Sequence, residues 1–424
     1  MLRSLRLALI FVTCGAGLCL ATRGIATAAS TAPLTLDDAV RRALVNAPAA
    51  EAAMAQSDLD GARAREAEAP FLPSVDALGE YNQAPGYSKT VSNGGLTQAQ
   101  LALDYTAYDG GRRSSQLRAA RYVADAAQLG VDVTRAQIVF DTTVAYFDLV
   151  HARDRARELD RSVARLTQYL AIITNLERSG RAIANDILKI RATRDTNELT
   201  LASARQDVAH ATIVLDALLG AADGAEVTPA EVHELPPAPS GDIGRSPVFR
   251  VAQRQLDAAA AGVAAARAER MPTVKLALTS GWQGINPDHT FNRDLGASYD
   301  GTITVPIFTG GLERAHIDEA RAAQHLALAR IRATALTLKR DLADASASYE
   351  GGRRQLAILA QAQTTADDAF ALTWTRFLGG GNTTLLEVTD AYQQAENLRV
   401  ARIDNEFAVR QAAAQAALIL GDEQ

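Results

Sequence analysis

The stretch TVPIFTGGLERA (304–315) changes character halfway along its length. Polar and apolar residues alternate up to a pair of glycines, and this period of two is typical of a β-strand. No Gly or Pro then occurs until Gly351, and so long a run without either residue favours a helix. The stretch TAYDGGRRSS (106–115) has the same arrangement. The chain therefore passes twice from a strand-like segment, through two glycines, into a helix.

The helices that follow the glycine pairs are predicted to be very long. Their small and apolar residues recur at steps of three and four, and this sustained spacing predicts helices that wrap around one another as a coiled coil. We predict long helices over 111–178 and 311–377, followed by shorter helices over 184–219 and 384–420. A helix of about 65 residues is about 100 Å long at a rise of about 1.5 Å per residue.

Both halves of the chain follow one plan. The segment 46–75 parallels 245–274, with prolines at matching positions, and the two glycine pairs also correspond. Such self-similarity predicts a duplicated structural unit. The first repeat is predicted over 29–219 and the second over 245–424, each in the order helix, strand, strand, very long helix, turn, helix. The segment 220–244 between them is rich in Pro, Gly and acidic residues and is interpreted as a connector.

Four strands are predicted, over 71–83, 97–108, 272–283 and 296–308. Apolar and polar residues alternate within each of them, so one face of the sheet is apolar and the other is polar. Each run is long enough for a tilted transmembrane strand of about 9 to 11 residues. A half-buried sheet in a soluble domain shows the same alternation, so the pattern alone leaves both interpretations open.

Aromatic residues at the strand ends favour a membrane sheet. Tyr81, Tyr108, Trp282 and Phe308 occupy these ends, and aromatic girdles mark both interfaces of outer-membrane barrels. Four strands cannot close such a barrel, which needs about eight or more, and open sheet edges are not viable in lipid. Several chains are therefore expected to contribute to one barrel.

The amino terminus has the pattern of an export signal. Residues 1–28 contain Arg3 and Arg6, an apolar run and small residues at the expected cleavage site. Both cysteines lie in this segment, so the mature chain would form neither disulfides nor thiolate metal sites. The formal net charge of −6 becomes about −9 once the segment is removed. This acidic balance argues against nucleic-acid binding.

The junction glycines Gly110, Gly111, Gly310 and Gly311 admit two interpretations. An ordinary loop before a helix often contains glycine, and this interpretation would be favoured for either pair alone. Two pairs at matching positions of a repeat instead favour a junction at which a barrel strand turns into a helical tube. Glycine suits such a junction because it tolerates dihedral angles that other residues avoid.

Together these features resemble the TolC-like outer-membrane efflux proteins. The resemblance covers essentially the whole mature chain. It rests on LTLDDAVRRALVNAP (34–48), on the YDGG and VPIFTGG motifs, and on the turn sequences at 180–188 and 379–391. It implies a mainly α fold with a membrane β-barrel portion, in which an internally duplicated chain supplies four β-strands and long coiled-coil helices. Three chains would then form a trimeric α/β-barrel channel-tunnel.

The resemblance also implies a function. Members of this family export small molecules or proteins across the cell outer membrane, as part of a tripartite efflux pump or a type I secretion system. The implied partners are a homotrimer, a periplasmic adaptor, an inner-membrane transporter and outer-membrane lipid, with no nucleic acid and no cofactor. The segments 84–95 and 285–295 would be extracellular tips, and the turns at 178–185 and 378–384 would lie deep in the periplasm. The sequence does not indicate the substrate.

A periplasmic gate is implied only in part. In relatives, a Tyr and an Arg on one hairpin turn join an Asp on the other. Asp186 matches that Asp, but Phe377 or Leu378 replaces the Tyr, and Asn382 or Thr383 replaces the Arg. The ionic gate of the family is therefore not expected here in its usual form.

The periplasmic entrance is expected to be acidic. Glu387 and Asp390 are three residues apart and so share one helix face, and they match family positions whose acids ring the tunnel entrance. Under threefold symmetry they would place about six carboxylates around the opening, which favours cations. Glu387 has an alternative role, since Thr384 and Glu387 have the spacing of a capping box. The two roles can coexist.

The sequence does not indicate an enzyme. It lacks the phosphate-binding, serine-hydrolase and zinc-protease motifs, and its six histidines are scattered. A periplasmic coiled-coil adaptor or stalk is a second possible class. It would explain the helices and the export signal, but it leaves unexplained four amphipathic strands placed symmetrically in a repeat.

Overall fold

The computed structural model describes residues 33–84, 86, 95–220, 228–230, 234–285 and 295–421. The predicted signal peptide, most of the two predicted extracellular tips and part of the predicted connector lie outside these residues. The helices in the described ranges are α1 Leu36–Asn46, α2 Pro48–Glu66, α3 Arg112–Arg178, α4 Ala184–Leu219, α5 Pro247–Ala268, α6 Leu312–Leu378 and α7 Leu385–Leu420. The strands are β1 Ser74–Gln83, β2 Gly95–Tyr108, β3 Thr273–Ile285 and β4 Gly296–Thr304.

Both halves of the chain contain the same series of elements. A helix (α2 or α5) leads into a hairpin of two strands, then into a helix of 67 residues (α3 or α6) and one of 36 residues (α4 or α7). α3 packs along α4 and α5, and α6 packs along α5 and α7. α3 also contacts α7, so the two halves meet through their helices. A helix of 67 residues is about 100 Å long at about 1.5 Å per residue.

No helix among the described residues combines the length and the apolar composition that crossing a membrane requires.

The four strands form one antiparallel sheet in the order β1-β2-β3-β4. β2 belongs to the first half and β3 to the second, so the central pair joins the two hairpins. The ladder between them is irregular between Thr106 and Tyr108, at the end where β2 approaches α3. β1 and β4 are the edges of the sheet, and each has a second side that no other described strand covers.

Two strands are shorter than the sequence predicts. The strand predicted over 71–83 begins at Ser74, because Ala69–Phe71 form a 3-10 turn that contains a proline. The strand predicted over 296–308 ends at Thr304. Pro306 follows two residues later and has no N–H to donate to a ladder.

The two central strands are longer than predicted at their distal ends. β2 begins at Gly95 rather than 97, since Gly95 pairs with Gln83. β3 runs over Thr273–Ile285 rather than 272–283, since Leu96 pairs with Ile285. The ends of α3, α4, α6 and α7 lie within one residue of the predicted helix ends.

The largest buried cluster surrounds Tyr146 in the middle of α3. It joins α1, α3 and the C-terminal part of α4. The Tyr146 side chain is fully buried, and its hydroxyl lies 3.0 Å from the Leu34 carbonyl and 3.3 Å from the Ala230 carbonyl. In the second half, the Tyr349 hydroxyl donates to the Pro236 carbonyl at 2.5 Å. These bonds hold the segments before α1 and α5 against the long helices.

Close packing of α6 against α7 depends on one glycine. A Cβ atom at Gly352 would lie 2.5 Å from Cγ2 of Val409 in α7, and the Val409 side chain is fully buried. The adjacent Gly351 has no neighbouring atom within 4 Å of the corresponding point. The two helices therefore approach closely at Gly352 and not at Gly351.

Gly352→Ala and Gly351→Ala should have opposite effects on stability. Adding a methyl group at 352 overpacks the α6–α7 contact, which costs about 1 to 3 kcal/mol. The same change at 351 meets no obstacle and removes the conformational freedom of glycine, for a gain of about 0.4 to 1 kcal/mol. Thermal unfolding in detergent, followed by circular dichroism, measures both. A lower melting temperature for Gly351→Ala than for Gly352→Ala would contradict the packing described.

Candidate functional site

The sheet has one apolar face and one polar face along its whole register. Residues opposite one another in neighbouring strands project from the same face. The apolar face consists of Val75, Ala77, Tyr81, Ala99, Leu101, Leu103, Tyr105, Val274, Leu276, Leu278, Trp282, Ala297, Tyr299 and Ile303. The polar face includes Asp76, Glu80, Asn82, Gln98, Gln100, Asp104, Thr106, Lys275, Thr279, Gln283, Ser298, Asp300 and Thr302. The alternation of apolar and polar residues within each strand therefore matches the alternation in the neighbouring strands.

Both faces are open within one chain. On the apolar face, Tyr299 is 83% exposed and Ile303 is 69% exposed, although side chains of this kind are normally buried in a soluble protein. The polar face contains cross-strand hydrogen bonds, such as the one of 2.6 Å from Gln98 Nε2 to Glu80 Oε2. Some apolar residues also fall on the polar face, namely Leu78 opposite Gln100, Leu96 opposite Asn82, Ala102 opposite Asp76 and Ala277 opposite Asp104.

The four predicted interface aromatics lie at two levels of the sheet. Tyr81 and Trp282 are on the apolar face near the end that is distant from the long helices. Tyr108 ends β2 beside α3. Phe308 lies beyond the end of β4, just before α6, and is 88% exposed.

The strand-to-helix junctions are built around the predicted glycines. Gly110 and Gly111 have φ angles of 66° and 85°, and Gly310 and Gly311 have φ angles of 68° and 90°. These left-handed angles favour glycine over other residues. At Gly110 there is also no room for a side chain, because a Cβ atom would lie 2.2 Å from Cβ of Met271.

The first junction is held by a buried ion pair. Asp109 accepts hydrogen bonds from the Gly111 amide at 3.1 Å and from the Arg113 amide and Nε at 2.9 Å each. Arg113 also donates to the Pro70 carbonyl at 2.6 Å and lies over the Phe71 ring. Burial of Asp109 opposes ionisation, but the hydrogen bonds and charge of Arg113 outweigh it and lower the pKa of the carboxyl below its usual value. The end of β2, the start of α3 and the turn before β1 are thereby tied together.

The second junction lacks this buried pair. Thr309 occupies the position that corresponds to Asp109 in the first repeat. Its hydroxyl donates a hydrogen bond to Glu313, and this bond is exposed. The tie to the turn before β3 is made instead by His316, whose Nδ1 lies 2.8 Å from Glu269 Oε2. The hydrogen bond to Glu269 raises the pKa of His316.

The turns at the far ends of the helical hairpins have closely similar C-terminal caps. Gly180 follows α3 and Gly380 follows α6, with φ angles of 74° and 77°. In each turn the amide after the glycine donates to a carbonyl five residues earlier, as in a Schellman motif. The second turn has one more residue before the next helix than the first, because α4 begins at Ala184 and α7 at Leu385.

The two turns touch through an arginine that the sequence analysis did not single out. Arg181 Nη2 donates to the carbonyl of Leu378 at 2.5 Å, and so links the first hairpin to the C-terminus of α6. Asp186, the residue matched to the family gate, accepts from the Ile183 amide at 3.2 Å and caps α4. Side chain to main chain contacts of this kind leave no sequence motif, so only the structure reveals the link.

Glu387 and Asp390 are both exposed at the start of α7. Glu387 forms the capping box with Thr384, since each residue's amide lies within 3.4 Å of the other's side-chain oxygen. The neighbouring Leu385 and Val388 point the other way, into an apolar cluster with Ile173 of α3. The two carboxylates therefore lie on the side of α7 away from this cluster.

The sequence model of the outer membrane efflux protein family matches residues 39–221 and 240–422. The chain belongs to the outer membrane efflux protein family. The pyoverdine export outer membrane protein OpmQ of Pseudomonas aeruginosa is 27% identical over 398 residues, which are 87% of this chain and 82% of that protein. Protein CyaE of Bordetella pertussis is 29% identical over 352 residues, 76% and 72% of the two chains.

The fold of this efflux protein is that of solved outer-membrane channels. The outer membrane protein VceC of Vibrio cholerae superposes with a TM-score of 0.79 at 20% identity, over 91% of this chain and 96% of that one. One of the two family matches lies in each half of the chain. The chain is an outer-membrane protein of efflux systems.

Above the turns, a charged network joins both hairpins of the efflux protein. Arg165 of α3 donates to Glu158 in the same helix at 2.8 Å and to Glu396 of α7 at 2.7 Å. Arg399 of α7 bonds Glu396 and reaches Asp367 of α6. Glu158 and Glu396 are almost fully buried, and removing one member of such a group leaves a buried charge uncompensated. This network fixes α3, α6 and α7 relative to one another.

An aromatic cluster lies between this network and the turns. Tyr169 of α3 contacts Trp374 and Phe370 of α6 with ring centroids 4.6 Å and 5.7 Å apart, and Phe370 also contacts Tyr392 of α7. The Tyr392 hydroxyl lies 2.6 Å from Ser162 Oγ. Among the described residues, no group of three or more His, Cys, Asp or Glu side chains is placed to hold a metal ion.

Asp109→Asn should destabilise the efflux protein in a pH-dependent way. Breaking the buried pair with Arg113 costs about 2 to 4 kcal/mol at neutral pH. The pKa of Asp109 is lowered in the folded protein, so the stabilisation is present above the unfolded value and is lost as the pH falls through the folded one. The gap in melting temperature between wild type and variant should therefore narrow only below about pH 4. Thr309→Ala at the exposed second junction is the matched control and should change little; an equal loss in both variants would argue against the buried pair.

Proposed function

We propose that three copies of this chain form a closed β-barrel in the outer membrane, continued by an α-helical tunnel into the periplasm, through which substrates are exported. The observation that carries this proposal is the sheet itself. It has an exposed apolar face, a polar face and two uncovered edges. Joining β1 of one chain to β4 of the next satisfies the edge groups, which cannot remain open in lipid.

The dimensions of the sheet fit this arrangement. β2 extends from the level of Tyr81, which lies opposite Thr97, to Tyr108. That length is about 36 Å at about 3.3 Å per residue, and about 28 Å of it lies along the barrel axis at a tilt of about 40°. The apolar band of outer-membrane barrels is about 25 Å tall. The aromatic levels would then lie at the two interfaces, and the polar face would line the pore.

The helical part supports a periplasmic role. α3 and α6 leave the sheet on the same side and extend far beyond it, so their turns would meet a periplasmic adaptor that connects to an inner-membrane transporter. The names of the relatives point to efflux pumps and export systems, and we extend that role to this chain. The exported compound is a small molecule or a protein, and transport rather than catalysis is the activity.

The turns would form the periplasmic entrance. Glu387 and Asp390 would contribute a ring of about six carboxylates under threefold symmetry, and such a ring favours cations. Glu387 keeps its capping role at the same time, since one of its oxygens accepts from the Thr384 amide. Arg181 and Asp186 would hold the turns in place beside this opening.

The assembly state tests the proposal directly. Detergent-purified protein should be a stable trimer by light scattering, and after reconstitution it should conduct ions in planar bilayers. Four strands per chain leave open edges in anything smaller. A stable monomer, or a protein that stays soluble without detergent as a periplasmic stalk would, is inconsistent with the proposal.

The acidic entrance has its own test. Glu387→Gln retains a side chain that can cap α7 but removes the charge. Combined with Asp390→Asn, it should lower the cation selectivity of single channels and weaken block by multivalent cations. Glu198→Gln together with Asp207→Asn, exposed on α4 away from the turns, serves as a control for charge removal. Unchanged selectivity in the double variant at 387 and 390 would leave Glu387 with the capping role only.

A further inference from the structure

A group of unpaired arginines lies where the strands meet the long helices. Four segments border the proximal end of the sheet: 67–73, 109–116, 267–272 and 309–316. We call them together the collar. Each carboxylate of the collar has a partner, and the pairs are Glu68 with Arg121, Asp109 with Arg113, Glu269 with His316, and Glu313 with Thr309. Four exposed arginines of the collar have no side-chain partner among the described residues: Arg112, Arg267, Arg270 and Arg314.

These arginines lie at one level because the collar segments are tied together. Arg113 reaches the Pro70 carbonyl at 2.6 Å, which fixes the start of α3 beside the turn before β1. His316 reaches Glu269 at 2.8 Å, which fixes the start of α6 beside the turn before β3. α5 packs against both α3 and α6, so the unpaired arginines follow one another around the molecule.

The collar begins where the apolar face ends. Arg112 comes four residues after Tyr108, and Arg314 six residues after Phe308. Met271, beside Arg270, is 48% exposed. Arg112 and Arg314 are in the first helical turn, within about 5 Å of the junction glycines at about 1.5 Å per residue. The headgroup layer on each side of a bilayer is about 5 to 7 Å thick, so these side chains are at headgroup depth.

We propose that Arg112, Arg267, Arg270 and Arg314 bind the phosphates of anionic phospholipids in the periplasmic leaflet of the outer membrane. This inference rests on the proposed function, since it requires the apolar face to be in lipid. Arginine is suited to the role because its planar guanidinium binds phosphate through two parallel hydrogen bonds. Clusters of about four to eight basic residues next to a membrane segment are typical of anionic lipid binding.

The distribution of charge in the chain supports an anionic phospholipid as the ligand. The whole chain has a net charge of −6, so a general attraction to anions is absent. The polar face of the sheet has four carboxylates and the single Lys275. Within the described part of the chain, exposed arginines without a side-chain partner also occur on the long hairpins, such as Arg191 and Arg332, but the collar groups four of them at the level of one headgroup layer. A trimer would place about twelve such arginines in a ring, spaced among the adjacent helices.

The test compares two variants with equal charge loss. The first changes Arg112, Arg267, Arg270 and Arg314 to Gln. The control changes four exposed arginines of the long hairpins to Gln, namely Arg191, Arg205, Arg332 and Arg340. Full-length trimers in neutral detergent are titrated with phosphatidylglycerol and, separately, with phosphatidylcholine and inorganic phosphate, and bound ligands are counted by native mass spectrometry.

The wild type and the control should retain phosphatidylglycerol in preference to phosphatidylcholine. The collar variant should lose at least about tenfold in affinity for phosphatidylglycerol, while the corresponding Arg→Lys variant should retain part of it. Circular dichroism melting of both variants in the same detergent verifies that they are folded.

Three lipid-binding results would each overturn the inference. They are equal phosphatidylglycerol binding by the wild type and the collar variant, no preference for phosphatidylglycerol over phosphatidylcholine, and binding of inorganic phosphate in its place. A change in single-channel charge selectivity without a change in lipid binding would place the arginines in the pore, and would overturn it as well. A wild-type chain that is monomeric without detergent would instead contradict the proposed function, so the two failures are distinguishable.

Discussion

The uncovered edges of an amphipathic sheet are the constraint on which the rest of the structure depends. Water can satisfy the N–H and C=O groups of an exposed strand edge, but lipid cannot. The strands that the structure describes form a sheet with an exposed apolar face and two free edges, and such edges would need a partner in lipid. The proposed barrel, shared among chains, would satisfy these edges.

The same constraint places strict demands on the junctions. In the proposed barrel and tunnel, a strand would have to turn into a helix within a few residues in each repeat. Paired glycines with left-handed φ angles provide this turn in both halves. The repeats then differ in what surrounds the turn. The first junction has the buried Asp109–Arg113 pair, whereas the second is exposed and is tied back through His316.

The helical hairpins are held together at several levels. The network of Arg165, Glu396, Arg399 and Asp367 and the aromatic cluster below it join α3, α6 and α7 through buried contacts. Beyond them, a hydrogen bond from Arg181 to the Leu378 carbonyl links the two turns. An exposed hydrogen bond contributes little net free energy compared with buried packing. The apolar cluster of Ile173, Leu385 and Val388 lies at the same end of the hairpins, so packing holds the turns together with this hydrogen bond.

The sequence by itself determined the elements and their repetition. Alternation of period two, heptad spacing and glycine position are local properties, so they predicted the four strands, the long helices and the junctions, with errors of a few residues where a 3-10 turn or Pro306 ended a ladder. Tertiary structure alone decided which residues from distant parts of the chain meet. Arg165 and Glu396 are 231 residues apart, and Arg181 and Leu378 are 197 apart. Such pairs depend on how two hairpins dock, and no local pattern encodes that docking.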